Sequence, residues 1–362
     1  MARRANKICK KISEIMVKTN AIIGILGGGQ LGRMTGIAAA QLGYKVHVFT
    51  PEHDSPTEHI CYKTTNAEYL DETKLAEFAK QVELVSFEFE NIPYKTLEIL
   101  EKHTKVFPSS NVIKICQNRL REKDFINSLG IGTASYAKVT NKAELDAALS
   151  KIGTPSILKT TEMGYDGKGQ VKIEGKQLPE IAFDKEYVLE GFVNFTREVS
   201  VIVARSESGE VAVYEPVENI HKNHILDETI APAVIDKKKA DEAKGIAVKI
   251  AEGLKLVGIL AVEMFETKEG FLVNELAPRP HNSGHYTIDS CVTSQFEQFV
   301  RAICALPLGS TKQLSKARMK NLIGEEVLDA QKYLKQPNAK LHLYGKNTPR
   351  AGRKMGHVTF IE

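Results

Sequence analysis

The stretch "IIGILGGGQLGRM", residues 22–34, constrains the fold more than any other part of the chain. A short apolar run of strand-forming character stops at consecutive glycines, and a helix-compatible pattern starts at once. Gly27, Gly29 and Gly32 fit G-x-G-x-x-G. In that pattern the glycines allow a tight strand-to-helix turn and let an anion approach the helix N-terminus. A strand that runs directly into a helix belongs to a parallel sheet covered by helices. The turn therefore predicts an α/β domain at the start of the chain and leaves open which phosphate, if any, the turn meets.

The alternation continues as such a domain requires. Residues 31–42 read as a helix closed by Gly43, 45–49 as a strand, 70–80 as a helix and 82–89 as a third strand. Residues 96–103 are helical, and 106–108 end a short strand. This β-α-β-α-β order predicts a parallel sheet with helices on both faces. From about Asn118 the character changes to α+β. Helices are predicted at 121–129, 143–149, 240–254 and 294–305, and strands at 156–159, 170–173, 187–192, 198–204 and 211–216. The last two strands should pair across Ser208-Gly209. At 362 residues the chain is long enough for two or three cores.

Composition excludes several classes. No apolar run approaches the roughly 20 residues of a membrane span. Cys9, Cys61, Cys116, Cys291 and Cys304 are scattered without a C-x-x-C pair, which argues against a zinc site or disulfide framework and suits a reducing cytoplasm. The net charge of +4 comes from residues 1–15, where Arg3, Arg4, Lys7, Lys10 and Lys11 face only Glu14. The remainder is formally neutral, so no nucleic-acid surface is expected. Residues 1–20 are read as a basic tail outside the folded unit, disordered or arising from upstream translation.

"ILAVEMFETKEGFLVNELAPRP" reads as a hairpin. A three-residue loop Lys268-Glu269-Gly270, with Gly270 left-handed, would pair Thr267 with Phe271 and Glu263 with Glu275. Both carboxylates would then share a face with Ile259, Ala261, Phe265, Phe271 and Val273. Like charges opposite one another repel, and a divalent cation would resolve the conflict. Asn274 would point to the other face unless a bulge turns it. A second glycine-rich stretch, "SILKTTEMGYDGKGQ", runs from a strand into a turn with Gly164, Gly167 and Gly169, flanked by Lys159 and Lys168. Such a turn suits an anion, although no Walker A motif is present.

"GILGGGQLGRM", "FEFENIP", "GYDGKGQ", "NELAPRPHNSGHYT" and "GRKMGH" follow one another in this order. Together they resemble the ATP-grasp superfamily and, within it, the N5-carboxyaminoimidazole ribonucleotide synthases of purine biosynthesis. The resemblance covers the chain from about Ile22 onward. It implies a Rossmann-like domain over 21–118, a two-lobed ATP-grasp domain over 119–308 whose mobile lobe is about 135–192, and a C-terminal domain over 309–362. The implied reaction is a ligase's: 5-aminoimidazole ribonucleotide, bicarbonate and ATP give N5-carboxyaminoimidazole ribonucleotide, ADP and phosphate through carboxyphosphate. The implied cofactor is Mg²⁺ or Mn²⁺. The implied state is a cytoplasmic homodimer with small-molecule substrates only.

Residue by residue, the resemblance places Lys159 at the ATP phosphates, Arg119 at the nucleotide site and Gly164, Tyr165, Asp166, Gly167, Lys168, Gly169 and Gln170 in the loop that covers the phosphates. It places Glu190, Gly191, Phe192 and Val193 at adenine, Glu198 at the ribose, and His221, Asn274 and Glu275 at the nucleotide. Glu263 and Glu275 match the metal ligands. Arg279, His281 and Asn282 match the residues around bicarbonate. The ribonucleotide would meet Gly29, Gln30, Leu31, Glu88, Glu90, Tyr165, Lys346 and Arg353, with its phosphate at the helix start. Met163 departs from the pattern, standing where a further glycine is usual. Three rival readings remain: a formate-dependent glycinamide ribonucleotide transformylase, an NAD-binding Rossmann oxidoreductase and a non-catalytic nucleotide-binding scaffold. Glu52 lies twenty residues after Gly32, as an oxidoreductase needs, but past the strand end.

Overall fold

A computed structural model describes residues 16–162, 164, 169–175 and 181–362. The basic segment 1–15, Met163 and the loop residues Tyr165, Asp166, Gly167 and Lys168 lie outside the described residues.

The first domain is the parallel sheet that the glycine turn demands. β1 (Ile22–Leu26) runs into α1 (Gln30–Gln41), followed by β2 (Lys45–Thr50) and β3 (Lys63–Asn66). Then come α2 (Glu72–Ala79), β4 (Leu84–Phe87), α3 (Tyr94–Leu100), β5 (Lys105–Val106) and α4 (Ser110–Cys116). The strand order is β3-β2-β1-β4-β5. β3 and α4 are additions to the sequence reading, since "KTTN" is polar and α4 only seven residues long. Alternation along β1 divides two cores. Ile23 and Ile25 join Leu31, Met34 and Ala38 on one side, and Leu26 joins Phe49, Phe78 and Leu97 on the other. The chain order reverses between β1 and β4, and in open α/β sheets the crevice beyond such a point receives ligands.

α5 (Arg119–Ser128), capped by Asn118, leads into a small four-stranded antiparallel sheet. It contains β6 (Tyr136–Val139), β7 (Ser156–Thr160), β8 (Gln170–Ile173) and β9 (Tyr187–Gly191), backed by α6 (Lys142–Ile152). The rest is built on one nine-stranded sheet. Its members are β10 (Arg197–Arg205), β11 (Val211–Val213), β12 (Val217–Lys222), β13 (Ile225–Ala231), β14 (Gly258–Thr267), β15 (Gly270–Ala277), β16 (Ala317–Ile323), β17 (Ala339–Leu343) and β18 (Lys354–Ile361). β11 pairs with β10 as predicted. α7 (Lys237–Gly253) covers one face through Ala243, Ala247 and Ile250. The short α8 (Thr287–Ser290) and the strongly amphipathic α9 (Gln295–Ile303) follow the site loop. α9 inserts Phe296, Phe299 and Ile303 into a core shared with α1. Consequently the first sheet and the large sheet are joined by one buried apolar layer.

β16 pairs with β13 from Glu228↔Lys320 to Ala231↔Ala317, so the C-terminal segment extends the large sheet. One expectation needs correction: the hairpin loop is shorter than predicted. Thr267 pairs with Gly270, whose φ is 131°, and Phe271 and Val273 therefore face away from Glu263 into the core under α7. A bulge between Glu263 and Met264 then restores the register, and Glu263 pairs with Glu275 after all. The inserted residue is Asn274, which the bulge turns toward the cavity.

Candidate active site

A cavity of about 700 Å³ lies where the first domain, the small sheet and the large sheet meet. The large sheet forms the floor. Glu198, His221 and Glu263 lie on three adjacent strands, and one potential ligand atom from each falls within 4.8 Å of the others. His221 Nδ1 is 3.2 Å from Glu198 Oε1, and burial, which opposes protonation of the ring, is outweighed by that carboxylate. His281 Nε2 is 2.9 Å from Glu263 Oε1.

Burial pushes both paired carboxylates up. For Glu263 the charges of His281 and His221 reverse this and hold it below the ordinary carboxylate range. Glu275 faces the negative charge of Glu263 and stays above it, although Arg119 Nη1 approaches to 3.6 Å. Such a pair of hard oxygen donors is suited to a divalent cation.

The small sheet forms the roof. Lys159, on β7, donates from Nζ to Glu190 Oε2 at 2.8 Å. The other oxygen of Glu190 is 3.2 Å from Lys123 Nζ, on a side chain only 1% exposed. Burial would raise the Glu190 carboxyl, but Lys123 and Lys159 together bring it down to about 2. Lys159 is itself held below its usual value, mainly by burial. With Lys123 balancing Glu190, the charge of Lys159 remains available to an anion in the cavity.

The third wall comes from the first domain and the loop after β15. Arg279 donates to both oxygens of Glu90, from Nη2 at 2.7 Å and also from Nε. His281 is fixed at both ring nitrogens, Nδ1 lying 2.8 Å from Ser283 Oγ. Asn282 pairs its amide with Asn321 on β16. Glu88 corrects the reading of the glycine turn. Its carboxylate accepts from the N–H groups of Gly29 at 2.7 Å and of Leu31 and Gly32 at 3.1 Å. The amides expected to face a phosphate are thus taken by a side chain, and a side chain at Gly29 would collide with it. Glu88 and Glu90 also lie just past β4, not within the strand.

Of the residues singled out from sequence, Gln30, Leu31, Glu88, Glu90, Arg119, Lys159, Gly164, Gln170, Phe192, Glu198, His221, Glu263, Asn274, Glu275, Arg279, His281 and Asn282 line the one cavity. Glu190 and Gly29 touch the lining residues Lys159 and Glu88, whereas Gly169, Gly191 and Val193 are not among the residues that line it. Lys346 and Arg353 lie on the approach to β18. Lys346 Nζ donates to the Lys354 carbonyl at 2.7 Å, and its ammonium senses Arg353, Glu88 and Lys354.

Sequence reasoning missed several residues. Phe195 and Phe265 stack at 4.6 Å between ring centroids and line the cavity as a flat apolar surface. Glu122 accepts the Leu276 N–H at 2.7 Å, and burial, then the charge of Glu275, raises it to about 8. Lys354, next to Arg353 in "GRKMGH", also lines the cavity. Glu122 and Lys123 sit in "RLREKDFINS", whose charge reads as a solvated helix face. Nothing local marks them as buried.

A buried lysine on a small antiparallel lobe, a carboxylate pair on a large one and a cavity between them define an ATP-grasp ligase. Models of the ribonucleotide synthetase pre-ATP-grasp domain, the ATP-grasp domain and the phosphoribosylaminoimidazole carboxylase C-terminal domain match residues 20–117, 124–296 and 317–362. The chain belongs to the N5-carboxyaminoimidazole ribonucleotide synthase family. It is 46% identical to the Bacillus subtilis N5-carboxyaminoimidazole ribonucleotide synthase, over 97% of this chain and 94% of that protein. It is also 46% identical to the bifunctional purine synthesis protein purC/E of Dictyostelium discoideum, over 96% of this chain but only 38% of that longer protein. An N5-carboxyaminoimidazole ribonucleotide synthetase crystallised with ADP superposes with a TM-score of 0.93 at 44% identity, covering 96% of this chain and 94% of that one. Among the described residues no helix is long and apolar enough to cross a membrane.

Proposed function

We propose that this chain catalyses the ATP-dependent carboxylation of 5-aminoimidazole ribonucleotide by bicarbonate, forming N5-carboxyaminoimidazole ribonucleotide, ADP and phosphate. The observation that carries this reading is the meeting, in one cavity, of Lys159 and Arg119 with the Glu263–Glu275 pair and with Arg279, His281 and Asn282. Phosphoryl transfer needs cationic charge on the phosphates, and Lys159 and Arg119 supply it. Phe195 and Phe265 offer a stacking surface for a base. A guanidinium held by Glu90 and a histidine held at both nitrogens form a rigid seat for a planar anion such as bicarbonate.

Bicarbonate oxygen takes the γ-phosphoryl group and ADP departs. The exocyclic amine of the ribonucleotide then attacks the carboxyphosphate carbon, or CO₂ released from it, and phosphate and the amine proton leave. His281 Nε2, 2.9 Å from Glu263 Oε1, holds that carboxylate in place, since the Ser283 N–H donates to its Nδ1. Glu263 and Glu275 are the residues that would hold Mg²⁺, and the fit rests on two carboxylates left opposite each other across the bulge. The ion, when bound, supplies charge neutralisation at the phosphates. A closed site protects the labile intermediate from water.

The direct test is ADP release with Mg²⁺-ATP and bicarbonate, with and without 5-aminoimidazole ribonucleotide. Strong stimulation by the ribonucleotide with a labile carboxylated product is the expected result. Stimulation by glycinamide ribonucleotide and formate instead would select the transformylase reading. ATP binding without turnover would leave a nucleotide-binding scaffold.

A further inference from the structure

Asn321 is fully buried on β16, outside every stretch that the reaction brings to mind, yet it holds a residue of the cavity wall. Asn282 Nδ2 donates to Asn321 Oδ1 at 2.9 Å, and Asn321 Nδ2 donates to Asn282 Oδ1 at 2.7 Å. Asn321 Nδ2 also donates to the backbone carbonyl of Leu226, on β13, at 2.8 Å.

These contacts leave no freedom in how the two amides point. The Leu226 carbonyl can only accept, so it must face the nitrogen of Asn321. That fixes the Asn321 oxygen toward the nitrogen of Asn282, and so fixes the Asn282 oxygen toward Asn321. One N–H of Asn282 remains. It has no hydrogen-bond partner among the described residues, and Asn282 lines the cavity beside Arg279 and His281. An amide free to flip could instead turn its oxygen toward the cavity and repel an anion.

We propose that Asn321 is a positioning residue for the anion seat: through the Leu226 carbonyl it makes Asn282 present a donor, not an acceptor, to bicarbonate or its phosphorylated form. This inference rests on the carboxylation reading. It also gives the C-terminal segment a second task besides contributing Lys346 and Arg353, because β16 brings a sheet hydrogen-bond constraint directly to the site loop.

The test is steady-state kinetics of Asn321→Asp, which keeps the shape and removes both N–H donors, and of Asn321→Ala, which removes the pair without adding charge. A hydrogen bond to a charged group is of a size to change affinity about tenfold, so the bicarbonate KM should rise by about that factor while the ATP KM stays within about twofold. More ADP should form per carboxylated product. A folded variant with an unchanged bicarbonate KM overturns the inference, and so does failure of both variants to fold, which would make the pair purely structural. If the wild-type protein forms no ADP in response to bicarbonate and the ribonucleotide, the functional reading itself falls. Wild-type turnover with unaffected variants removes only the role of Asn321.

Discussion

Glu88 Oε1 lies 2.7 Å from the backbone nitrogen of Gly29, and its other oxygen receives the amides of Leu31 and Gly32. A carboxylate from the end of β4 thereby caps the helix that begins after β1. Anions are favoured at such a helix start, and here the protein provides one itself. Glu88→Ala leaves three amide donors without their acceptor and should cost about 2 kcal/mol of stability. Urea unfolding at constant m-value measures it. A change no larger than that of a surface substitution, about 0.5 kcal/mol, would contradict the capping role.

Glu275 is unusual in that its removal relieves a repulsion. Glu275→Ala should lower turnover by about a hundredfold or more, as loss of a charge-stabilising group does. The melting temperature should change little, because Glu263 loses a like-charged neighbour. Normal turnover in that variant would sink the assignment of these carboxylates to the metal.

Lys346 is pushed down to about 8, chiefly by burial and then by the charge of Arg353. Its ammonium is therefore lost as pH rises through that value, and kcat/KM for the ribonucleotide should fall above about pH 8. Lys346→Arg, which stays charged, should extend the plateau to higher pH. Arg353→Ala should raise the KM for the ribonucleotide more than that for ATP. Equal effects on both constants would remove Arg353 from the substrate phosphate site.

Burial alone would raise the Glu90 carboxyl, but the charge and hydrogen bonds of Arg279 bring it from 4.5 to about 2. A folded pKa below the unfolded one stabilises the protein above pH 4.5, and that contribution disappears as pH falls through about 2. Arg279→Ala should thus be most destabilising near neutral pH. Its deficit against the wild type should shrink as unfolding is measured at successively lower pH in that window. A deficit independent of pH would show that the guanidinium acts through packing alone.

The sequence by itself determined the parallel first domain, because a strand, a glycine turn and a helix in immediate succession permit little else. It also determined the carboxylate hairpin and the order of the motifs, which mark many of the residues that line the cavity but not Phe195, Glu122 or Lys354. Its register argument for Glu263 and Glu275 reached the right pairing through a loop one residue too long, and the bulge at Asn274 supplied the missing residue. Nothing in a linear pattern marks a bulge. Tertiary structure alone decided that Glu88 occupies the helix start, that Lys123 is buried against Glu190 and that Asn321 holds Asn282. Each depends on a polar side chain finding its partner from a distant strand or helix. Charge in a sequence reads as exposure, and only the packed chain shows which charges have been neutralised inside.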